Sequence, residues 1–167
     1  DYEGARGLLF HNRGARSFEA VPLDIGIDHT RSHGSAVADF DKDGDLDIVV
    51  GHSTARCEDD CYETNRVRFF ENDVGENANF VQLELEGGGD SNASAIGAQI
   101  TLVSDGRTQV RQVDGGHGQF GQQDPLAQHF GLGDACTAEV TVRWPDEAGT
   151  TETVTLGQPG RFRLKQG

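Results

Sequence analysis

The stretch from Asp39 to Asp47, DFDKDGDLD, places five carboxylates within nine residues. At pH 7 these side chains repel one another, so the arrangement needs a compensating positive charge. Asp39, Asp41 and Asp43 occupy positions 1, 3 and 5 of an oxygen-rich cation loop, in which alternate residues converge on one centre. Gly44 at position 6 permits the sharp bend of such a loop. The spacing therefore predicts a Ca²⁺ site, with a solvated acidic turn as the alternative.

Two further aspartates complete the predicted ligand set. Asp45 at position 7 is expected to offer its main-chain carbonyl, and Asp47 at position 9 its carboxylate. Val50 stands at position 12, where an EF-hand has a glutamate, and strand-like segments flank the loop in place of helices. The sequence thus predicts a calcium loop within a β-hairpin, whose metal-binding residues are Asp39, Asp41, Asp43, Asp45 and Asp47.

The segments that must position this loop have the period of β-strands. FVQLELEG, IGAQITLVSDG and EVTVRWPD are rich in Val, Ile and Thr, alternate apolar with polar residues, and are bounded by turn residues. SDGRTQV contains an Asp-Gly pair, which is typical of a hairpin turn. The chain has 23 Gly and no Met, and no 12-residue amphipathic helix is apparent. We therefore predict an all-β fold.

A self-similarity lies within this pattern. LLFHNRGARSFEAV and RFFENDVGENANFVQL both read as an apolar strand, Asn, a glycine turn, Phe and a second apolar strand. About four strands fit into one such period, which indicates a propeller blade. Because one blade cannot bury its own faces, we expect a longer parent chain and a second half that covers part of the first. Apolar side chains of the blade are predicted to pack together and partly against residues after 77; they include Val37, Ile48, Val49 and Phe69.

The net charge excludes two classes of partner. The chain carries 28 acidic and 14 basic residues, which gives a charge of −14. Nucleic acids and anionic membrane surfaces are recognised by basic patches, so we expect neither as a partner. No run of 18 apolar residues is present, which argues against membrane insertion. The start at Asp1 suggests a trimmed or excised chain.

The three cysteines suggest an oxidising compartment. Cys57 and Cys61 flank an acidic tip, CEDDC, and a disulfide between them is the preferred interpretation. The alternative is a metal site that uses both thiolates with His52 or Asp59. Cys136 has no partner left and is predicted to be a small buried hydrophobic residue.

Several of these motifs together resemble two known families. SAVADFDKDGDLDIVVG, with LFHN and FFEN beside it, is similar to an FG-GAP/VCBS-type repeat. AIGAQITLVSDG, VRQVDGGHGQFGQQD, HFGLGDA and VTVRWPD resemble the ASPIC/UnbV domain. The resemblance implies a propeller-blade-like antiparallel repeat with a calcium loop at 1–76, followed by an ASPIC/UnbV β-sandwich at 77–167. Proteins of this cartilage acidic protein-like arrangement are mostly secreted and calcium-binding.

This sequence departs from that family pattern in two respects. Most of the propeller is absent, and WPDEAG stands where WPSG is commoner. The EGF-like extension of the vertebrate members is lacking as well, which favours a bacterial homologue.

The resemblance implies a function that the residues alone do not define. We expect a secreted, non-catalytic, calcium-binding module for adhesion or interaction. Its expected partners are an extracellular protein, matrix or glycan and the remaining propeller repeats of a longer chain. One alternative is an enzyme or enzyme-accessory domain with a site around His117 and His129; the other is a carbohydrate-binding module. GGHGQFG has dinucleotide-site spacing, but no βαβ unit follows it. We therefore interpret its glycines as turns and His129 as a structural hydrogen-bonding residue.

Overall fold

The structure is a computed structural model that describes residues 7–27, 29, 32–52, 66–74, 78–116 and 122–167. These ranges contain twelve strands and one short 3₁₀ helix, Leu23–Ile25. The predicted all-β fold is therefore confirmed. The first five strands are β1 Phe10–Gly14, β2 Ser17–Ala20, β3 Ser32–Ala38, β4 Asp47–His52 and β5 Arg66–Phe70. The other seven are β6 Asn79–Glu86, β7 Gln99–Ser104, β8 Arg107–Gln112, β9 Gln128–Gly133, β10 Ala138–Arg143, β11 Thr151–Leu156 and β12 Gly160–Lys165.

The first five strands form two small antiparallel sheets. β1 and β2 make a hairpin, and β3, β4 and β5 make a three-stranded sheet in chain order. β3 and β4 are joined by the aspartate-rich stretch Asp39–Leu46, which with Asp47 we call the aspartate loop. The hairpin exposes large apolar side chains, with Phe10 and Phe18 exposed by 54% and 63%. These sheets correspond to the blade-like region predicted from the repeat.

The remaining strands form a β-sandwich. One sheet has the order β11-β10-β7-β8 and is antiparallel, and the other has the order β12-β6-β9. β12 pairs with β6 in parallel, so that two strands far apart in sequence lie side by side. Alternate residues of both sheets point inward and bury one apolar cluster, as expected for two stacked sheets. The cluster includes Leu83 of β6, Ile100 of β7, Phe130 of β9, Val140 of β10 and Leu156 of β11.

The hairpin turn predicted for the sandwich is confirmed. The Asp105-Gly106 pair closes the β7–β8 hairpin, and both residues have positive φ, 46° and 70°. A two-residue hairpin turn of this kind requires positive φ at both positions, which Asp and Gly tolerate. Trp144 is a core residue, exposed by only 1%. The turn chemistry and the apolar periodicity were therefore sufficient to place these residues.

The two similar segments adopt different pairings. In the first copy, β1 pairs with β2, whereas in the second copy the strand that follows β5 is β6, which pairs with β9 and β12. Val81, Leu83 and Leu85 of β6 are buried by the opposing sheet, while the equivalent β2 is exposed throughout. The longer strict alternation of FVQLELE gives β6 a complete apolar face, and burying that face in the sandwich outweighs a local hairpin.

The predicted shared apolar core is not what the structure shows. Within the described residues, the buried apolar cluster draws only on positions 81–164. Val50 is buried in the blade-like region, but Phe69 is exposed by 48% and packs edge-on against Phe40, with 5.5 Å between ring centroids. The two regions instead meet through polar and aromatic side chains. Asp124 accepts a hydrogen bond from the Val37 amide at 3.1 Å.

Cys136 was predicted to be buried, and this is wrong. The residue is exposed in the connection between β9 and β10, where its Sγ contacts the Asn79 side chain at 3.6 Å. It lies outside a strand, so the alternation that places core residues does not act on it. Cys57 and Cys61 lie outside the described residues, and their disulfide stays a prediction.

The thiols can be counted to test both points. Cys136 should react with a chromogenic disulfide reagent in the folded protein, because its side chain is exposed. If Cys57 and Cys61 are bridged, unfolding without reductant reveals no further thiol and the count stays at one. Cys136→Ser, the control, should not react in either state. Three thiols after unfolding would contradict the bridge, and one thiol that reacts only after unfolding would contradict the exposure of Cys136.

Candidate metal centre

The aspartate loop brings three of the predicted ligands together. Asp39, Asp41 and Asp43 each offer a carboxylate oxygen, and these three oxygens lie within 4.8 Å of one another. The Asp39 side chain is fully buried, while Asp41 and Asp43 are exposed. The 1-3-5 spacing therefore brings three carboxylates together, while the calcium site itself stays a prediction.

Local hydrogen bonds explain why this sequence turns so tightly. Asp41 Oδ1 accepts from the Asp43 amide at 3.2 Å, and Asp43 Oδ1 accepts from the Asp45 amide at 3.0 Å. Such aspartate turns compete well with strand pairing and favour a loop. Lys42 and Gly44 have positive φ, 69° and 111°. Glycine is the residue that reaches the second value without strain, which is the bend expected at position 6.

Asp47 ties the loop to its surroundings. Its Oδ2 accepts from the Phe40 amide and its Oδ1 from the Asn72 amide, both at 3.0 Å, and the residue is exposed by only 1%. The first bond closes the loop on itself, and the second joins it to the segment after β5. Each oxygen keeps one lone pair, so these bonds leave the position-9 ligand role open.

The carboxylate of Asp45 is buried and surrounded by other carboxylates. Asp45 is exposed by only 8%, and neither of its carboxylate oxygens has a hydrogen-bond donor within the described part of the chain. Burial, and then repulsion from Asp43, Asp47, Asp41 and Asp39, raises the pKa of Asp45 from 3.8 to about 6. A buried, ionised carboxylate without donors is unfavourable unless a cation lies nearby.

The sandwich supplies two side chains to the loop that the sequence did not reveal. Arg161 of β12 forms an ion pair with Asp39 through its Nη2 and the aspartate Oδ2. The Phe80 ring lies against Gly44, where a Cβ atom would stand 2.5 Å from a ring carbon. Asp39 and Arg161 are 122 positions apart in the chain. No local pattern marks either residue as a neighbour of the loop, because their approach depends on how the sandwich is placed.

The donor set suits a hard divalent cation. The second Asp39 oxygen, Oδ1, is buried and has no partner among the described residues, like both oxygens of Asp45. One arginine cannot balance five carboxylates. Carboxylate and carbonyl oxygens in a flexible loop are the ligands that Ca²⁺ prefers. The residues present therefore fit the cation that the spacing predicted.

His129 of β9 lies close to this site. Its ring stacks on Phe80, with 5.3 Å between centroids and 10° between planes. Its Nδ1 is buried without a hydrogen-bond partner in the described ranges, and its predicted role as a hydrogen-bonding residue stays a prediction. Burial lowers the pKa of His129, opposed by the charge of Asp39. A neutral ring packed against an aromatic neighbour is a structural arrangement.

Several candidate residues lie outside the described parts of the structure. They are His117, the side chain of His52, and the segment with Cys57, Asp59 and Cys61. The alternatives built on them therefore stay predictions. His29 is buried and contacts Ser32 Oγ through its Nδ1 at 2.8 Å, which is a structural use of this histidine.

Comparison with known families agrees with this two-part architecture. The FG-GAP-like repeat model matches residues 3–50, which include the aspartate loop, and the ASPIC and UnbV model matches residues 88–165. The first part of the chain is therefore similar to the FG-GAP-like repeat and the second part to the ASPIC and UnbV family.

Individual proteins are similar in sequence to most of this chain. Cartilage acidic protein 1 of Homo sapiens is 31% identical over 141 residues, which cover 84% of this chain and 20% of the relative. The Xenopus tropicalis protein of the same name is 30% identical over 143 residues, again 84% of this chain and 20% of the relative. The Mus musculus protein is 32% identical over 129 residues, which cover 77% of this chain and 18% of the relative. The chain thus spans about a fifth of the length of these relatives.

No helix in the described ranges is long and apolar enough to cross a membrane.

The hydrogen bonds of Asp47 predict a stability effect that does not depend on metal. Asp47→Ala removes the acceptor of two backbone amides, one of them inside the loop, and should destabilise the protein by about 2–3 kcal/mol even in excess chelator. Asp43→Ala is the matched control, since within the described residues its exposed carboxylate accepts one amide hydrogen bond, from Asp45. Urea unfolding in chelator measures both. Equal stability of the two variants would contradict the anchoring role of Asp47.

The buried charge of Asp45 predicts that its replacement stabilises the metal-free protein, in contrast to the replacement of Asp47. The pKa of Asp45 is raised to about 6 in the folded protein, so the side chain is still ionised at pH 7.5. Keeping this charge in the folded state costs at most about 3 kcal/mol of stability. Asp45→Asn removes this cost and should raise the melting temperature in chelator by several degrees. The exposed Asp105→Asn in the β7–β8 turn is the control and should change little. A lower melting temperature for Asp45→Asn in chelator would contradict the electrostatic account.

Proposed function

We propose that this chain is a calcium-binding, non-catalytic interaction module of an extracellular protein. The observation that carries the proposal is the set of buried carboxylate oxygens, on Asp39 and Asp45, that have no donor among the described residues, together with the converging carboxylates of Asp39, Asp41 and Asp43. A site of this kind is expected to bind a dication rather than to remain a bare cluster of charges.

The roles of the individual residues follow from their positions. The carboxylates of Asp39, Asp41 and Asp43 are proposed to hold the ion, with the main-chain carbonyl of Asp45 at position 7. Asp47 is proposed to contribute its carboxylate while its amide hydrogen bonds keep the loop closed. When bound, Ca²⁺ supplies positive charge that neutralises the loop. Its effect is then structural, because the ion fixes the connection between β3 and β4.

An interaction role is favoured over catalysis. His129 stacks on Phe80 and burial lowers its pKa, and both observations support a packing role for this residue. The similarity to cartilage acidic protein 1 supports an extracellular setting, as does the predicted Cys57–Cys61 disulfide. The charge of −14 favours a basic surface on a protein or matrix partner.

The longer parent chain is the second proposed partner. Leu8, Leu9, Phe10 and Phe18 are exposed by 40–63% at the β1–β2 hairpin. A concentration of exposed apolar side chains of this kind favours packing against further repeats. This supports the view that the blade-like region is completed by neighbouring blades.

Calcium titration tests the proposal directly. Isothermal calorimetry should detect binding to the chelator-treated protein, and Asp43→Ala should abolish it because one converging carboxylate is lost. With free Ca²⁺ at 100 times the dissociation constant, linkage stabilises the fold by about 2.7 kcal/mol. For a chain of this size the melting temperature then rises by about 5–10 °C. Asp45→Asn should retain binding with a modest loss, because its carbonyl remains.

The control is Asp90→Ala, which removes an exposed aspartate from a turn of the sandwich. It should bind Ca²⁺ and respond to it as the wild type does. Identical melting temperatures with calcium and with chelator for the wild-type protein would mean that the loop is an acidic turn.

A further inference from the structure

The aspartate loop belongs to the FG-GAP-like repeat, yet two of its positions are held by the sandwich. Asp39 at position 1 forms its ion pair with Arg161, and Gly44 at position 6 lies against the Phe80 ring. Arg161 is on β12 and Phe80 on β6. The loop is thus contacted from outside its own sheet at both its beginning and its bend.

The guanidinium of Arg161 is itself held in place. Its Nε donates to Gln82 Oε1 at 3.0 Å, and its central carbon lies 5.0 Å from the Phe80 ring centroid. Phe80 in turn stacks on His129 of β9. All three strands of one sheet therefore support the side chain that reaches Asp39. A guanidinium fixed in this way loses little conformational entropy when it binds a carboxylate.

This support decides which Asp39 oxygen remains for a cation. The Asp39 side chain is fully buried, and its Oδ2 is taken by Arg161. Oδ1 is the atom without a partner in the described part of the chain. Partners of this kind orient the ligands of metal sites, and their loss typically lowers metal affinity 10- to 100-fold.

We infer that Arg161 and Phe80 are positioning residues for the cation site, so that metal binding by the repeat and docking of the sandwich are thermodynamically linked. The inference rests on the proposed calcium site. If the ion favours the loop geometry that Arg161 and Phe80 also favour, each event stabilises the other to the same extent. The metal then serves as a structural joint between the two regions.

Neighbouring residues of the same strand provide a matched comparison. Arg163 is two positions further along β12, carries the same charge and pairs with Glu84 at 2.9 Å. Arg161→Gln and Arg163→Gln therefore remove the same charge from the same strand, but only the first removes a contact with the loop. Removing a positive charge near a cation site should by itself strengthen Ca²⁺ binding. A loss of affinity is consequently the signature of positioning.

The experiment measures affinity and docking separately. Calorimetry gives the calcium dissociation constant, and fluorescence of Trp144, the single tryptophan, follows the unfolding of the sandwich in whose core it lies. In Arg161→Gln the dissociation constant should rise about tenfold relative to Arg163→Gln. The calcium-induced rise in the Trp144 melting midpoint should shrink in Arg161→Gln and in Phe80→Leu, and Arg161→Lys should restore part of it.

The outcomes separate this inference from the proposed function. If the wild type binds no Ca²⁺, the calcium site itself is wrong and the linkage with it. If the wild type binds but Arg161→Gln and Arg163→Gln have equal affinities and equal Trp144 shifts, the site stands and the linkage is wrong. Tighter binding by Arg161→Gln would show that Arg161 competes with the ion for Asp39, which also overturns the inference.

Discussion

The accumulation of negative charge in the aspartate loop is the constraint on which the rest of the structure depends. Five carboxylates lie within nine residues, and those of Asp39, Asp45 and Asp47 are buried. Burial and repulsion from the other four aspartates both raise the pKa of Asp45. A loop of this kind persists only if it is compensated from several directions. Backbone amides, an arginine from a distant strand and the proposed cation supply that compensation.

The three kinds of compensation have different consequences for the architecture. The amide hydrogen bonds of Asp47 act within the repeat, since they close the loop and join it to the segment after β5. The ion pair of Asp39 with Arg161 acts between regions and joins the repeat to the sandwich. The same loop is therefore both a candidate ligand site and a point of contact between the repeat and the sandwich. This arrangement accounts for an interface that is polar and aromatic while the apolar cluster stays within the sandwich.

The sandwich gives the interface its rigidity. Its apolar cluster draws on strands of both sheets, so that Phe80, Gln82 and Arg161 project from a well-packed base. β6 is central to this arrangement, because its inward residues Val81, Leu83 and Leu85 are buried while Phe80 and Gln82 lie on the other face. Strand alternation thus converts one segment into a core element and a contact surface at once.

The sequence by itself determined the features that depend on local chemistry. Period-two alternation identified the strands, the Asp-Gly pair identified the β7–β8 turn, and the 1-3-5-6 spacing brought Asp39, Asp41 and Asp43 together. Only the tertiary structure decided that β6 leaves its repeat for the sandwich, that Cys136 is exposed, and that Arg161 and Phe80 contact the loop. The physical reason is the distance along the chain over which each interaction acts. Turn geometry and alternation act over a few residues, whereas strand pairing and ion pairing across 122 positions are settled by the competition for buried area and for charge compensation in the complete fold.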